Sequence, residues 1–352
     1  MPHSPAPAAD QRLAQLQQWF AGQSTNIARQ LGLAQLPAAD LLPASSDASF
    51  RRYFRWQSDG HSLLLMDAPP EQENSGPFVR IAALLERQGL HVPKILACDL
   101  EQGFLAISDL GSHTWLEHFQ ADSRHVQQAA QLYPLAIDTL LRMQQMPLTG
   151  LELPAYDTAL LRRELELFPQ WFVGRELGLE FNQHQQQLWQ QVCELLIDSA
   201  LAQGTVFVHR DFMPRNLMLS QPNPGLIDFQ DAVTGPLSYD LVSLLKDAFI
   251  SWSPAQVEQW QHYYWQQARK LGLAVPHDYA AFVRDCDLMA TQRHLKVLGI
   301  FARICHRDGK PRYLADSPRF FSYLQHSMAQ QPQLLSPLRQ LLDSLPLEQH
   351  LQ

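Results

Sequence analysis

The sequence predicts an α+β protein in which a small β-rich unit precedes a large helical one. Three observations carry that prediction. Strand-like apolar runs are concentrated between residues 49 and 108, helical periodicity dominates from Thr114 onward, and one short β interruption at 205–228 breaks the helical part.

The elements follow in chain order. Residues 10–34 place Leu13, Leu16, Phe20, Ile27 and Leu31 at near-helical intervals behind a Pro/Ala-rich tip, which predicts an N-terminal helix. Ser49–Gln57 and His61–Asp67 are rich in aromatic or aliphatic residues, and the intervening Asp59-Gly60 is a hairpin signal. Phe78–Gln88 has helical spacing and stops at Gly89, before Val92-Pro93 turns the chain. Lys94–Asp99 and Phe104–Ser108 read as a second strand pair around Glu101-Gln102-Gly103. Beyond them the pattern predicts helices at Ala129–Gln145, Asn182–Gln203, Ser238–Phe249, Pro254–Leu271 and Tyr279–His306. The division between the two parts falls at 106/107.

The 352 residues are 46% hydrophobic, enough for a sizeable core and roughly two domains. A net charge of −8 argues against a protein that wraps nucleic acid. The first twenty residues lack a basic segment followed by an apolar one, and no stretch offers 18 uninterrupted apolar residues. The expected location is the cytoplasm, with no membrane and no protein partner. Cys98, Cys193, Cys286 and Cys305 are widely spaced, so the sequence indicates neither a zinc site nor a disulfide framework.

Chemistry concentrates in the β interruption. Thr205–Val208 reads as a buried strand delivering His209-Arg210-Asp211 to a loop. Leu217–Leu219 and Gly225–Ile227 are two further strands that end at Asp228. Phosphoryl transfer needs a group that orients the attacking hydroxyl and accepts its proton, plus oxygen ligands for Mg²⁺ beside the phosphates. The spacing supplies Asp211 for the first task and Asn216 and Asp228 for the second, with His209 bracing the loop. Alternatively, Asp211 and Asn216 build a turn and Asp228 ends a strand.

With VHRDFMPRNLM, LIDFQD and SYDLVSLL in view, the chain resembles the aminoglycoside phosphotransferase and choline-kinase-like family, distant relatives of protein kinases, from about Ser45 to Lys310. The resemblance implies a protein-kinase-like bilobal fold, with ATP and Mg²⁺ as cofactors. Residues 1–106 would then be a nucleotide-binding lobe, and 107–352 a helical lobe with the catalytic loop and acceptor pocket. It implies that Asp240 is a buried carboxylate tethering the catalytic loop; the alternative is a helix-start acid on the helix dipole. It places adenine against Leu105–Gly111, with Ser108, Asp109 and Leu110 as candidates, and the phosphate-covering loop at Ser45–Phe50, with Ser46 and Ser49. The sequence departs from the family where Leu63–Asp67 lacks the phosphate-pairing lysine. Arg51 and Arg52 are the nearest replacements, or else two solvated strand arginines.

For the acceptor, Arg293, Lys296, Arg303 and Arg307 fall within about 80° on a helical wheel. Between Ala290 and Arg312 six Lys/Arg face one acid, Asp308. Such a surplus repels a polycationic acceptor and favours an anionic or neutral one. Arg293, Lys296 and Arg303 are therefore substrate-binding candidates, unless the stripe is an ordinary surface face. Within the family, SSDASFRRYFR, LLLMDAPP and RHLKVLGIFARICHRDGKPRYL resemble bacterial kinases of cell-wall recycling that phosphorylate N-acetylmuramate and N-acetylglucosamine at the anomeric hydroxyl. The competing readings are an aminoglycoside, choline-like or homoserine kinase, or a nucleotide-binding pseudokinase.

Overall fold

The computed structural model describes residues 8–46, 50–121 and 124–351. They group into two units: one holds the residues up to His113 together with Met218–Gln230, the other Thr114–Leu217 and Asp231–Gln352. The division is not the linear one read from the sequence, because the segment ending in Asp228 folds with the N-terminal part.

The first unit opens with α1 (Ala8–Gln30), then β1 (Leu41–Ser46), β2 (Arg52–Ser58), β3 (His61–Asp67), α2 (Gly76–Arg87), β4 (Ile95–Asp99) and β5 (Phe104–Ser108). The strands form one antiparallel sheet in the order β1-β2-β3-β5-β4. β2 and β3 are joined by Asp59 and Gly60, whose φ values of 48° and 79° suit a tight hairpin turn. Side chains alternate across the sheet, so Phe54, Trp56, Leu63, Leu65, Phe104 and Ala106 share a core with Leu16 and Ile27 of α1. At the end of β3 the fully buried Asp67 accepts from Arg12 Nε of α1 at 2.9 Å and Arg52 Nε of β2 at 3.0 Å.

The second unit contains α3 (Trp115–Ala121), α4 (His125–Gln144), α5 (Thr158–Leu165), a π-helical stretch Phe168–Glu176, α6 (Gln183–Leu201) and β6 (Thr205–Val208). The chain then runs through β7 (Leu217–Met218) and β8 (Gly225–Leu226), which pair as a ribbon. Leu226 N–H donates to His91 C=O at 2.7 Å and Leu219 N–H to His113 C=O at 2.9 Å, which ties this segment to the first unit. β9 (Val233–Pro236) returns to pair antiparallel with β6, and α7 (Tyr239–Leu245), α8 (Pro254–Lys270), α9 (Tyr279–Asp308), α10 (Ser317–Gln330) and α11 (Ser336–Asp343) complete the unit. α9 starts where the Asp278 carboxylate caps the N–H of Ala281 at 3.1 Å, and stops at Gly309 with φ 67°.

Three elements differ from the sequence reading. β1 is an added strand, hidden because Pro43 and Ala44 lack strand character. β9 extends the β interruption past Asp228. α7 ends at Leu245 and does not reach Phe249, because the Asp247 carboxylate captures the N–H groups of Phe249 and Ile250 at 2.7 and 2.9 Å and offers the backbone a turn. Among the described residues, no helix is long and apolar enough to cross a membrane.

Candidate active site

In the second unit, the buried residues Val206, Phe207 and Val208 of β6 drive the strand into the interior and bring His209-Arg210-Asp211 out at its end. Arg210 adopts φ 76°, the left-handed region that a bulky side chain occupies only when its surroundings impose it. Those surroundings are specific. Asp240, in the first turn of α7, accepts the backbone N–H of His209 at 2.7 Å and of Arg210 at 3.0 Å. Arg293 donates to the Arg210 carbonyl at 3.0 Å, and Asn216 Nδ2 donates to the Asp211 carbonyl at 2.9 Å. The backbone is thus held on both sides of Asp211, whose own side chain stays 42% exposed. Burial pushes the Asp240 carboxyl up to about 7, against the pull of those two N–H groups and Arg293.

Beneath this loop lies an ionic cluster that the sequence reading missed. Glu164, on the buried face of α5, pairs with Arg210 Nη2 at 2.6 Å and Lys296 Nζ at 2.9 Å, and also accepts from Tyr156 OH. Lys296 and Arg293 both donate to Tyr239 OH, at 2.9 and 3.1 Å. Burial works to raise the Glu164 pKa, but Lys296 and Arg210 outweigh it and hold the carboxyl at about 2. The available signal was Glu164 itself, an acid on the same helical face as Leu161 and Leu165.

This cluster divides the basic stripe of α9. Arg293 and Lys296 are only 3% and 7% exposed and turn inward, with Arg293 Nη2 3.9 Å from Asp211 Oδ1. Arg303 is half-buried near Arg307, which pairs with Asp308 at 2.7 Å. Ten residues of helix carry Arg303 about 15 Å beyond Arg293 along the axis. The four residues therefore do not act as one surface, because periodicity reports a shared face but not what packs against it.

In the first unit, Asp228 also takes a left-handed conformation, φ 64°, directly after β8. Its neighbour Phe229 is fully buried and stacks on Phe78 of α2 with centroids 5.1 Å apart, and Gln230 donates to Asp228 Oδ1 at 2.8 Å. The Asp-Phe pair thus anchors one residue and turns the other.

The 108–111 segment is held equally firmly. Asp109 accepts from Arg55 Nε at 2.7 Å, from Ser62 Oγ and from Gly111 N–H at 3.0 Å, and Arg55 also reaches the Gly111 carbonyl at 3.0 Å. Ser108 Oγ accepts Lys94 N–H at 2.9 Å, and Leu110 is buried. Arg55 and Ser62, absent from the sequence reading, position this segment. Of the phosphate-neutralising candidates, Arg51 pairs with Glu73 at 3.3 Å and Arg52 with Asp67. Ser46 ends β1, opposite Arg52. Ser49 lies outside the described residues.

The model of the phosphotransferase enzyme family matches residues 40–273, from β1 to just past α8. The chain belongs to the phosphotransferase enzyme family. An N-acetylmuramate/N-acetylglucosamine kinase of Pseudomonas putida is 57% identical over 328 residues, which cover 93% of this chain and 95% of that relative. A kinase of the same name from Pseudomonas aeruginosa is 52% identical, covering 96% and 98%. Solved structures agree on the phosphotransferase fold at low identity. A macrolide 2'-phosphotransferase from Brachybacterium faecium superposes with a TM-score of 0.56 at 16% identity, over 84% of this chain and 96% of that one. An ADP-bound aminoglycoside phosphotransferase gives 0.52 at 14%, over 85% and 96%.

Proposed function

We propose that this phosphotransferase transfers the γ-phosphoryl group of ATP to the anomeric hydroxyl of N-acetylmuramate or N-acetylglucosamine, in the cytoplasm, within cell-wall recycling. The 57% identity to a kinase so named, sustained over 93% of the chain, supports the acceptor. The single structural observation behind the chemistry is the exposed Asp211 carboxylate on a backbone fastened by Asp240, Arg293 and Asn216.

The C1 hydroxyl hydrogen-bonds to Asp211, which aims its oxygen at the γ-phosphorus and takes its proton as the new O–P bond forms. The bond from the γ-phosphorus to the β–γ bridging oxygen breaks, and ADP leaves with that electron pair. Little covalent work falls to the protein, so positioning and charge dominate. Arg293, with Nη2 3.9 Å from Asp211 Oδ1, orients that carboxylate. Lys296 acts through Glu164 on the Arg210 guanidinium, and through Tyr239 on Arg293, which holds the Arg210 carbonyl.

The donor set suits Mg²⁺. A carboxamide oxygen and a carboxylate are the hard ligands that ion prefers, and the Asn216 nitrogen bound to the Asp211 carbonyl defines which end of the carboxamide is oxygen. Asn216 and Asp228 would hold the ion, which neutralises charge on the β- and γ-phosphates when bound. With no lysine on β3, the 108–111 segment fixed by Arg55 and Asp109 carries the nucleotide contacts by backbone groups.

Phosphorus NMR of the product tests the reading, with N-acetylmuramate, N-acetylglucosamine and kanamycin offered in parallel with ATP and Mg²⁺. The expected product is a sugar 1-phosphate whose phosphorus couples to the anomeric proton. Phosphorylation of kanamycin with the two amino sugars untouched would overturn it.

A further inference from the structure

Away from the catalytic loop, three stretches far apart in the chain converge within the second unit. Glu176 ends the π-helical stretch, Cys305 and His306 occupy the last turn of α9, and His350 closes the 3₁₀ turn Glu348–His350. The ligand-capable atoms of Glu176, Cys305 and His306 all lie within 4.8 Å of one another. His306 Nε2 is 2.6 Å from Glu176 Oε2, and His350 Nε2 is 3.6 Å from the other carboxylate oxygen.

One carboxylate is therefore flanked by two imidazoles with a thiol beside them. A simple His306–Glu176 ion pair would use only two of these four groups. The clustered thiol, imidazole and carboxylate of Cys305, His306 and Glu176 make three donors of borderline softness, which Mg²⁺ avoids and Zn²⁺ favours, and His350, beside the other carboxylate oxygen, offers the fourth that a tetrahedral ion needs. We propose that Glu176, Cys305, His306 and His350 form a binding site for Zn²⁺ or a borderline-soft divalent ion like it.

Charge and protons balance. Two neutral imidazoles, one carboxylate and one thiolate offset the two positive charges, and the Cys305 proton passes to solvent as the Sγ–metal bond forms. Burial and Glu176 raise the thiol pKa, so the incoming cation supplies the ionisation. The site would join the end of α9 to the Glu348–His350 turn through the metal. It is separate from the Asn216 and Asp228 ligands and does not depend on the acceptor.

The test uses the full chain freed of metal with a chelator. Co²⁺ is titrated while the thiolate-to-cobalt charge-transfer absorption is followed, and Zn²⁺ alone is titrated by calorimetry and by its effect on thermal unfolding. One ion per chain is expected, with a thiolate band that survives Cys98→Ser and disappears in Cys305→Ser. His306→Ala and His350→Ala should each weaken Zn²⁺ binding at least tenfold and shrink the Zn²⁺-induced rise in Tm. An ion pair alone would lower the metal-free Tm of His306→Ala and leave no metal-induced rise in any form of the protein. Absence of the thiolate band in wild type, or wild-type Zn²⁺ affinity in Cys305→Ser and His306→Ala, would overturn the site.

Discussion

Replacing Glu164 by Gln should reveal how much of the loop carrying Arg210 and Asp211 is held from below. The carboxylate is buried and pairs with both Arg210 and Lys296. Its descent from an ordinary 4.5 to about 2 corresponds to about 3–4 kcal/mol of native-state stability at ~1.4 kcal/mol per pKa unit. Removing one partner of a buried pair independently costs about 3–5 kcal/mol. Glutamine keeps an acceptor for Tyr156, which favours the lower figure. Because the folded pKa is depressed, this stability is complete above about pH 4.5 and disappears as the pH falls towards 2. Urea unfolding at several pH values should therefore show a gap of about 3 kcal/mol between wild type and variant at pH 7, constant down to pH 5 and narrowing below. Loss of the guanidinium anchor also lets Arg210 relax from its left-handed conformation, and the resulting shift of Asp211 should cut kcat by up to about 10²-fold. A stability loss under about 1 kcal/mol at pH 7, or a gap that widens on acidification, would refute the reasoning.

Three further expectations can be checked. Asp211→Ala should lower kcat by roughly 10²–10⁴-fold in steady-state assays while calorimetry shows ATP affinity within a few-fold of wild type. Asp240 has its folded pKa raised to about 7, so it contributes stability below about pH 4 that is lost as the pH rises to 7; the stability of wild type relative to Asp240→Asn should fall across that window in unfolding titrations. Asp109→Ala leaves Arg55 and the Gly111 N–H without their shared carboxylate, and should raise KM for ATP several-fold with kcat little changed.

Local chemistry made part of the molecule legible in advance. Asp59-Gly60 announced its hairpin because two successive positive φ values suit few residue pairs. The H-x-D-x-x-x-x-N spacing marked the loop that Asn216 closes onto the Asp211 carbonyl, because both residues fall within one short stretch. What escaped was set by partners distant in sequence. Glu164 has no motif around it, and its importance comes from Arg210 and Lys296, 46 and 132 residues away. The wheel of α9 grouped Arg293 with Arg303 correctly by angle, yet could not show that one faces a buried tyrosine and the other the region around Arg307 and Asp308. The pairing of Arg52 with Asp67, fifteen residues on, was likewise invisible in the strand pattern.

The family match begins at residue 40, after α1 has ended. A fragment trimmed to that border would nevertheless lose Leu16 and Ile27 from the sheet's core and leave Asp67 without Arg12. The limits of a recognisable family and the limits of a self-sufficient folding piece are thus different lines on this chain. Fusions or shortened versions that respect only the first should express as aggregates, with the sheet's apolar face offered to whatever else is apolar nearby.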